Sequence, residues 1–125
     1  MKQILSTDKA PAAIGPYSQG VLAGGFYFFS GQIPLHPVTG ELVGRTVQEQ
    51  AEQVFQNIAA LLESQGLTFA QVVKTTVFIR HMADFPAVNA IYSRYFTAPC
   101  PARSCVEVSA LPKDALLEVE VIAAS

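Results

Sequence analysis

Two short runs near the C-terminus alternate apolar and polar side chains, residues 101–108 and 116–121. Both are rich in β-branched residues, and a period of two with this composition is typical of β-strands. The residues between them include Pro112-Lys113-Asp114, which are common turn formers. The two runs are therefore predicted to be strands, and they could pair as a hairpin.

Alternate side chains of a strand point to the same face of its sheet. Arg103 and Cys105 are predicted to share one face of the first run, and Glu118 and Glu120 one face of the second. In a hairpin, the arginine and the glutamates could then face each other. This concentration of charge within an apolar chain makes the two runs the first candidates for a functional site.

The remaining pattern predicts three further strands and two helices. The strands are residues 21–23, 26–32 and 72–79. The first helix begins at a capping box of Thr46 and Glu49 and runs to about Gln65. The second helix follows Asp84, which is predicted to be its cap, and has Pro86 in its first turn. The aromatic density of residues 26–32 suggests a strand covered on both faces. Residues 1–13 are predicted to form an irregular arm.

This order of elements predicts an α+β fold, a mixed β-sheet with two helices on one face. The other face is predicted to carry Arg103, Cys105, Glu118 and Glu120, and such a half-polar, half-apolar face invites a partner subunit. Residues 1–125 are expected to form a single domain.

Composition supports an oligomer and excludes some classes of partner. Half of the residues are hydrophobic and only 14% are charged, so we expect some apolar surface to be buried against another subunit. A net charge of −2 without a basic cluster argues against nucleic-acid binding. No run approaches the ~18 apolar residues of a membrane span, and the first residues lack the apolar segment of a signal peptide. A cytoplasmic location, without membrane partners, is therefore expected.

Arg103 and Glu118 allow two interpretations. A guanidinium is a permanently charged planar fork that binds a carboxylate with two hydrogen bonds, and a nearby glutamate could orient a water molecule as a general base. The pair could instead be a cross-strand salt bridge, which on an exposed face contributes only about 0–1 kcal/mol. The spacing alone favours the salt bridge, whereas the stiff Pro99-Cys100-Pro101 connector before Arg103 favours a site.

Other candidate residues carry weaker signals. Cys105 has no base near it in the sequence and is more simply a packed hydrophobic residue than a nucleophile. His36 and His81 lack metal-ligand spacing, so no metal is expected. The glycines match no nucleotide-binding motif, so no cofactor is expected. Tyr17 and Ser30 are hydroxyl residues beside glycine turns, and alone they indicate only hydrogen bonding.

Seven segments occur in an order that resembles one known family. They are 10–20, 30–34, 73–78, 84–89 (through Asp84-Phe85 and Val88-Asn89), 101–108, 111–114 and 118–120. The run Ala-Arg-Ser-Cys-Val-Glu-Val followed by Leu-Pro-Lys-Asp is specific. Over essentially its full length, the chain resembles the RidA/YjgF family of reactive-intermediate (enamine/imine) deaminases.

This resemblance implies a chorismate-mutase-like α+β fold, assembled as a homotrimer whose sheets form a central β-barrel, with sites in clefts between subunits. It implies that Arg103 binds the substrate carboxylate and that Glu118 positions the hydrolytic water. Cys105 would contribute mainly a backbone hydrogen bond. The other residues expected to line the cleft and bind substrate are Tyr17, Ser30 and Asn89.

The reaction implied is hydrolysis of 2-iminobutanoate or 2-iminopropanoate to the 2-keto acid and ammonia, without metal or organic cofactor. These imines arise from enamines released by pyridoxal-phosphate dehydratases. A protonated imine is already electrophilic, so a protein need only hold the carboxylate and deliver water. Two alternatives remain: a trimer that senses 2-keto acids without turnover, and the chaperone-like or RNA-cleaving activity attributed to family members.

Three segments depart from the family pattern. The connector 96–102 is shorter, the loop 41–46 is slightly longer, and residues 79–82 are less acidic. The first two could reshape the rim of the cleft and change substrate preference. None of the three includes Arg103 or Glu118.

Overall fold

A computed structural model describes residues 1–125 as one six-stranded sheet with two α-helices. The strands are β1 (Gln3–Leu5), β2 (Gly20–Ala23), β3 (Phe26–Phe29), β4 (Val72–Ile79), β5 (Ala102–Glu107) and β6 (Leu117–Ala124), and the helices are α1 (Val47–Glu63) and α2 (Phe85–Tyr95). The order across the sheet is β1-β2-β3-β6-β4-β5. Only β4 and β5 run parallel, and all other neighbours are antiparallel. The predicted mixed sheet and α+β class are confirmed.

The first helix begins as the sequence predicts. The Thr46 hydroxyl accepts a hydrogen bond from the Glu49 N–H at 3.1 Å, and the Glu49 carboxylate accepts one from the Thr46 N–H at 3.1 Å. These bonds satisfy two donors that an uncapped helix would leave free. The backbone N–H groups of Arg45 and Thr46 both donate to the Glu49 carboxylate, and these hydrogen bonds lower the pKa of Glu49.

The start of α2 differs from the prediction. Asp84 makes no capping hydrogen bond with its side chain, because it ends a short 3₁₀ turn, Met82–Asp84, that leads directly into α2. That turn is held instead by Glu107, whose carboxylate accepts a hydrogen bond from the Met82 N–H at 2.7 Å. Pro86 lies in the first turn of α2 as predicted.

The core lies between the two helices and one face of the sheet. Burial alternates along β6, where every second side chain from Leu117 onward is buried. These side chains join those of β4 and the apolar stripe of α1 in one cluster of 21 buried residues. Phe55 of α1 stacks on Tyr95 and meets the edges of Tyr92 and Phe96, so aromatic contacts join the two helices. Neither helix is both long enough and apolar enough to cross a membrane.

The opposite face of the sheet has no cover within the chain. Ile4, Phe26, Phe28 and Val106 are 55%, 45%, 44% and 43% exposed. The prediction that the aromatic strand β3 is covered on both faces is therefore wrong for the single chain. The low charge content did indicate that apolar surface would remain outside, and the fold gathers it on this open face.

The hairpin between the two C-terminal strands is not formed. β6 lies between β3 and β4, and β5 is an edge strand that pairs only with β4. Parallel neighbours need a long crossover, and α2 supplies one between β4 and β5. Residues 1–13 also contain a strand, since β1 pairs with β2, so the prediction of an entirely irregular arm is wrong.

The predicted sharing of one face by four polar residues is wrong as well. Across β4 the aligned pairs are Arg103 with Thr75, Cys105 with Val77, Glu120 with Thr76 and Glu118 with Phe78. Residues aligned across a sheet share a face, and a shift of one residue reverses it. Thr75 and Val77 are buried beneath the helices. Arg103 and Cys105 therefore lie on the helix side, and the two glutamates lie on the open face.

Candidate functional site

Of the six residues expected to form a site, five lie in two separate cavities, and Cys105 lines neither of them. Arg103 and Asn89 lie in a cavity of about 390 Å³ beside α2, which we call the arginine cleft. Its lining residues are Asn89, Tyr92, Ser93, Phe96, Cys100, Pro101 and Arg103. Three of these belong to the connector 96–102, so the segment that departs from the family pattern forms one wall of this cleft.

The guanidinium of Arg103 is held by three side chains of α2. It donates a hydrogen bond to Asn89 Oδ1 at 2.7 Å, and its carbon lies 4.7 Å from the ring centre of Tyr92 and 5.2 Å from that of Phe85. The Tyr92 hydroxyl is fixed in turn by a buried hydrogen bond to the hydroxyl of Thr75 at 2.8 Å. These contacts orient the planar fork and leave most of its donors free for a ligand.

Sequence reasoning missed Phe85 and Tyr92, although a signal was present. Phe85, Asn89 and Tyr92 are spaced four and three residues apart, which places them on one face of a helix. What the spacing did not reveal is that this face lies over the first residues of β5.

A salt bridge between Arg103 and Glu118 is not formed. The one ion pair of the chain joins Arg94 to Glu52 at 2.6 Å on the surface. The guanidinium of Arg103 has no carboxylate partner in the chain, so its charge is available to an external anion.

Glu118 lies in a second cavity, of about 330 Å³, together with Tyr17 and Ser30. We call it the glutamate cleft. It is lined by Pro11, Ala12, Tyr17, Gln19, Ser30, Gly31, Gln32, Ile33, Leu35, Pro112 and Glu118. Its walls are largely apolar or uncharged, and Glu118 is the only charged residue among them.

The backbone brings these distant segments together. Gln32 and Val119 exchange two backbone hydrogen bonds of 2.8 and 3.1 Å, so the chain after β3 runs beside Glu118. The N–H and hydroxyl of Ser30 bond to the carbonyls of Gln19 and Ser18 at 2.9 and 2.6 Å. The loop that carries Tyr17 is thereby attached to the same wall.

Gln19 is a positioning residue that sequence reasoning did not single out. Its buried amide bonds to both backbone groups of Thr7 and to the carbonyl of Pro11, at 2.6 to 3.0 Å. A buried amide that satisfies several backbone groups fixes the path of a loop without regular structure. The only sequence signal for Gln19 was its place in the Tyr-Ser-Gln-Gly segment, which belongs to the first motif of the family resemblance.

The carboxylate of Glu118 is half-buried and accepts no hydrogen bond from the chain. Burial raises its pKa above the ordinary value of 4.5, and the negative charge of Glu120 on the same face raises it further. A carboxylate with a raised pKa and free lone pairs is suited to accept a proton from a bound water molecule.

Cys105 is half-buried on the helix side of β5 and packs against the core. Burial raises the pKa of its thiol, and the positive charge of Arg103 offsets this only in part. The thiol is therefore neutral near pH 7, which agrees with a packing role and not with a nucleophile. No three His, Cys, Asp or Glu side chains of the chain are grouped so that they could hold a metal ion.

The two clefts cannot act on one small molecule within a single chain. Arg103 and Glu118 lie two strands and three residue positions apart, which separates their Cα atoms by about 14 Å. They also face opposite sides of the sheet. Each chain therefore carries the Arg103 guanidinium and the Glu118 carboxylate in two clefts that point away from each other.

Comparison with known proteins identifies the family. The family model described as Endoribonuclease L-PSP matches residues 7–125. A 2-iminobutanoate/2-iminopropanoate deaminase of Escherichia coli K12 is 51% identical, with 98% of each chain covered. The chloroplastic Reactive Intermediate Deaminase A of Arabidopsis thaliana is 48% identical over 98% of this chain and 65% of its own.

A solved structure agrees with the sequence relatives. The crystal structure of Escherichia coli TdcF with bound serine superposes with a TM-score of 0.92 at 45% identity and covers 98% of both chains. The fold and the full-length sequence matches lead to the same assignment: the chain belongs to the RidA/YjgF family, whose family model is described as Endoribonuclease L-PSP.

Proposed function

We propose that this protein hydrolyses small reactive 2-imino acids, such as 2-iminobutanoate and 2-iminopropanoate, to 2-keto acids and ammonia. The observation that carries the proposal is the division of the site into two incomplete halves on one chain. In the proposed site, the arginine cleft of one copy is closed by the glutamate cleft of its neighbour. Relatives named as imine deaminases support the chemistry.

Arg103 holds the substrate by its carboxylate. One guanidinium N–H donates to Asn89, and the N–H donors that remain free are able to bind the carboxylate oxygens. In a cleft between subunits this contact is partly shielded from water, and a charge-assisted pair is then stronger than on an open surface. Tyr17 and Ser30 line the opposite wall, where the apolar side chains of Ile33 and Leu35 suit a short aliphatic substituent.

Glu118 supplies the proton transfer. Its carboxylate takes a proton from water as the water oxygen bonds to C2 of the protonated imine, whose C=N electron pair moves to nitrogen. The proton on Glu118 then passes to the amino group of the resulting tetrahedral carbinolamine. The C–N bond breaks, and its electron pair leaves with ammonia. As the keto group forms, the hydroxyl gives its proton to the Glu118 carboxylate, which passes it to the ammonia, so that ammonium is released. Atoms and charges balance with water as the only co-reactant.

The open face of the sheet supports assembly into a homotrimer with a central β-barrel. Ile4, Phe26 and Phe28 form an apolar area that no part of the chain covers. Apolar area of this kind on a small protein marks an interface between subunits. In the proposed trimer, packing around this face also brings the two clefts of adjacent copies together.

The direct test is release of ammonia and keto acid from 2-aminoacrylate, generated in place by a dehydratase acting on serine. We expect release to be faster with this protein than without it. Unchanged release accompanied by binding of a 2-keto acid would instead support a ligand-sensing trimer. Unchanged release with cleavage of a single-stranded RNA would support the endoribonuclease activity in the description of the family model.

The acid side of the pH profile tests the role of Glu118. We expect kcat/KM to fall as the pH is lowered through a midpoint above 4.5, because the base must be ionised and burial raises its pKa. Glu120→Gln should move that midpoint down, since it removes the neighbouring negative charge. A Glu120→Asp variant, which keeps the charge, is the matched control. An upward shift in Glu120→Gln would contradict the assignment.

Cys105 is expected to be dispensable as a thiol. Cys105→Ser should retain kcat/KM within about threefold, because the neutral thiol is not the nucleophile and only the backbone of this residue would contact substrate. Treatment of the wild type with iodoacetamide, followed by mass spectrometry to locate the label, provides a second reading. A loss of several hundred-fold in Cys105→Ser at unchanged thermal stability would make the thiol catalytic.

A further inference from the structure

Gly31 lies in the glutamate cleft and packs directly against the carboxylate of Glu118. A Cβ atom built on Gly31 would overlap Glu118 Oε2, and it would lie 2.9 Å from Cδ and 3.1 Å from Cγ of that side chain. All three nearest atoms belong to Glu118. The backbone of Gly31 therefore forms the surface on which this carboxylate rests.

Backbone conformation does not explain a glycine at this position. Six of the eight glycines have a positive φ, which disfavours other residues, but Gly20 and Gly31 do not. Gly31 is followed by Gln32, whose backbone pairs with Val119 beside Glu118. An alanine would fit the chain path at Gly31, so the absence of a side chain matters for space alone.

The position of the Glu118 carboxylate depends on this packing. It accepts no hydrogen bond from the chain that would otherwise fix it, and its strand β6 constrains only its Cα and Cβ. Packing against a rigid backbone is therefore what limits the rotamers of this side chain. A methyl group on Gly31 would meet the mobile end of Glu118 and displace it, while the core stays unchanged.

We propose that Gly31 is a positioning residue for the reaction, which leaves room for the Glu118 carboxylate and thereby sets where the water molecule is activated. The proposal rests on the function proposed for Glu118. Gly31 acts through that side chain, and the alignment of the water with C2 of the imine depends on it. Misplacement of a catalytic group by about 1 Å can lower a rate by about 100-fold.

The test compares Gly31→Ala in two backgrounds. In the wild-type background we expect kcat to fall on the order of 10- to 100-fold, because the carboxylate is displaced while Arg103 still binds substrate, so KM changes little. In a Glu118→Asp background the side chain is one carbon shorter, so the Oε2 and Cδ positions that the methyl group meets most closely are vacated, and the remaining contact with Cγ at 3.1 Å needs only a small shift. Adding Gly31→Ala there should cost less than about threefold.

A pH profile provides a reading that a purely structural role would not change. The displaced carboxylate moves toward the open cleft, so its burial decreases and the acid midpoint of kcat should move down toward the ordinary value. Within the chain, the charged and titratable groups that face it are Glu120 on β6 and Tyr17 across the cleft. In the proposed site, Arg103 of the neighbouring copy faces it as well, and none of the three residues is altered by the variant. An unchanged midpoint would overturn the proposal.

Gly20→Ala is the matched control, since it also adds a methyl group at a glycine without positive φ. That methyl group would meet the ring of Phe29 at 2.8 Å in the core, so we expect a lower melting temperature and an unchanged acid midpoint. Equal losses from Gly31→Ala in both backgrounds, or no loss in the wild type, would overturn the role of Gly31. Full activity of Glu118→Gln would instead overturn the proposed function of Glu118 itself.

Discussion

Replacement of Arg103 by alanine is expected to lower kcat/KM for 2-imino acids by at least ~100-fold. The variant loses two charge-assisted hydrogen bonds to the substrate carboxylate, together about 3 kcal/mol or more, and each 1.4 kcal/mol is a tenfold change. The measurement is keto-acid release in the dehydratase-coupled assay, with the native mass of the protein determined in parallel. The fold should survive, because the Arg103 side chain is exposed and carries no salt bridge.

One variant separates the geometry of the Arg103 fork from its charge, and a second variant is the control. Arg103→Lys keeps the positive charge but cannot form paired parallel hydrogen bonds, so we expect activity between that of wild type and Arg103→Ala. Arg94→Ala removes an arginine from the outer face of α2, where it pairs with Glu52 on the surface, and should leave kcat/KM unchanged. Full turnover in Arg103→Ala would exclude Arg103 as the carboxylate anchor.

Mixed assemblies of two inactive variants are expected to regain activity. If each site combines Arg103 of one copy with Glu118 of its neighbour, an Arg103→Ala chain still supplies Glu118 and a Glu118→Gln chain still supplies Arg103. In random mixtures of equal amounts, about one quarter of the sites contain both native residues, because each of the two positions is native in half of the copies. Activity per chain should therefore recover to about a quarter of wild type.

Co-expression of the two variants with different affinity tags allows the mixed assemblies to be purified and assayed. Purification removes the assemblies made of one variant only, so in a purified mixed trimer one site in three contains both native residues and activity should reach about a third of wild type. Co-expression of Arg103→Ala with Arg103→Lys is the control, since both changes lie in the arginine cleft and activity should not exceed the mean of the two parents. No recovery in purified mixed assemblies would mean that the site forms within one chain. The separation of Arg103 from Glu118 across the sheet argues against that outcome.

The proposed site is divided between copies of the chain, which distinguishes it from a site that is complete within one chain. Each chain presents the Arg103 guanidinium on the helix side of an edge strand and the Glu118 carboxylate on the open face. Neither half has a partner inside the chain, since Arg103 has no carboxylate and Glu118 accepts no hydrogen bond. If the two clefts meet between copies, the Arg103 and Glu118 side chains both gain partners. Activity would then depend on assembly.

Local elements follow from local sequence. The apolar stripe and capping box determine α1, because periodicity and end-group hydrogen bonds act within a few residues. The same reasoning identifies the long strands β4 and β6. Two elements were missed or misread: β1 has only three residues, too few for a period to be recognised, and the cap expected at Asp84 is replaced by a contact from Glu107 on a distant strand.

Candidate residues could also be identified from the sequence, but not their arrangement. Arg103, Glu118, Tyr17, Ser30 and Asn89 follow from the family resemblance, and the structure brings Asn89 to Arg103 and the two hydroxyl residues to Glu118. The roles of Gln19 and Gly31 could not be recognised in the same way, and the helical spacing of Phe85 did not reveal what its face contacts. Their roles depend on packing against segments far away in the sequence.

The sequence by itself determined the two helices and five of the six strands, that apolar surface would be left outside, and which family the motifs resemble. Only the tertiary structure decided that β6 lies between β3 and β4, that β5 is an edge strand, and that Arg103 and Glu118 face opposite sides. The reason is physical: local periodicity sets whether a side chain points up or down within its own strand. Which strands become neighbours, and in which register, depends on burial and hydrogen bonding across the whole sheet.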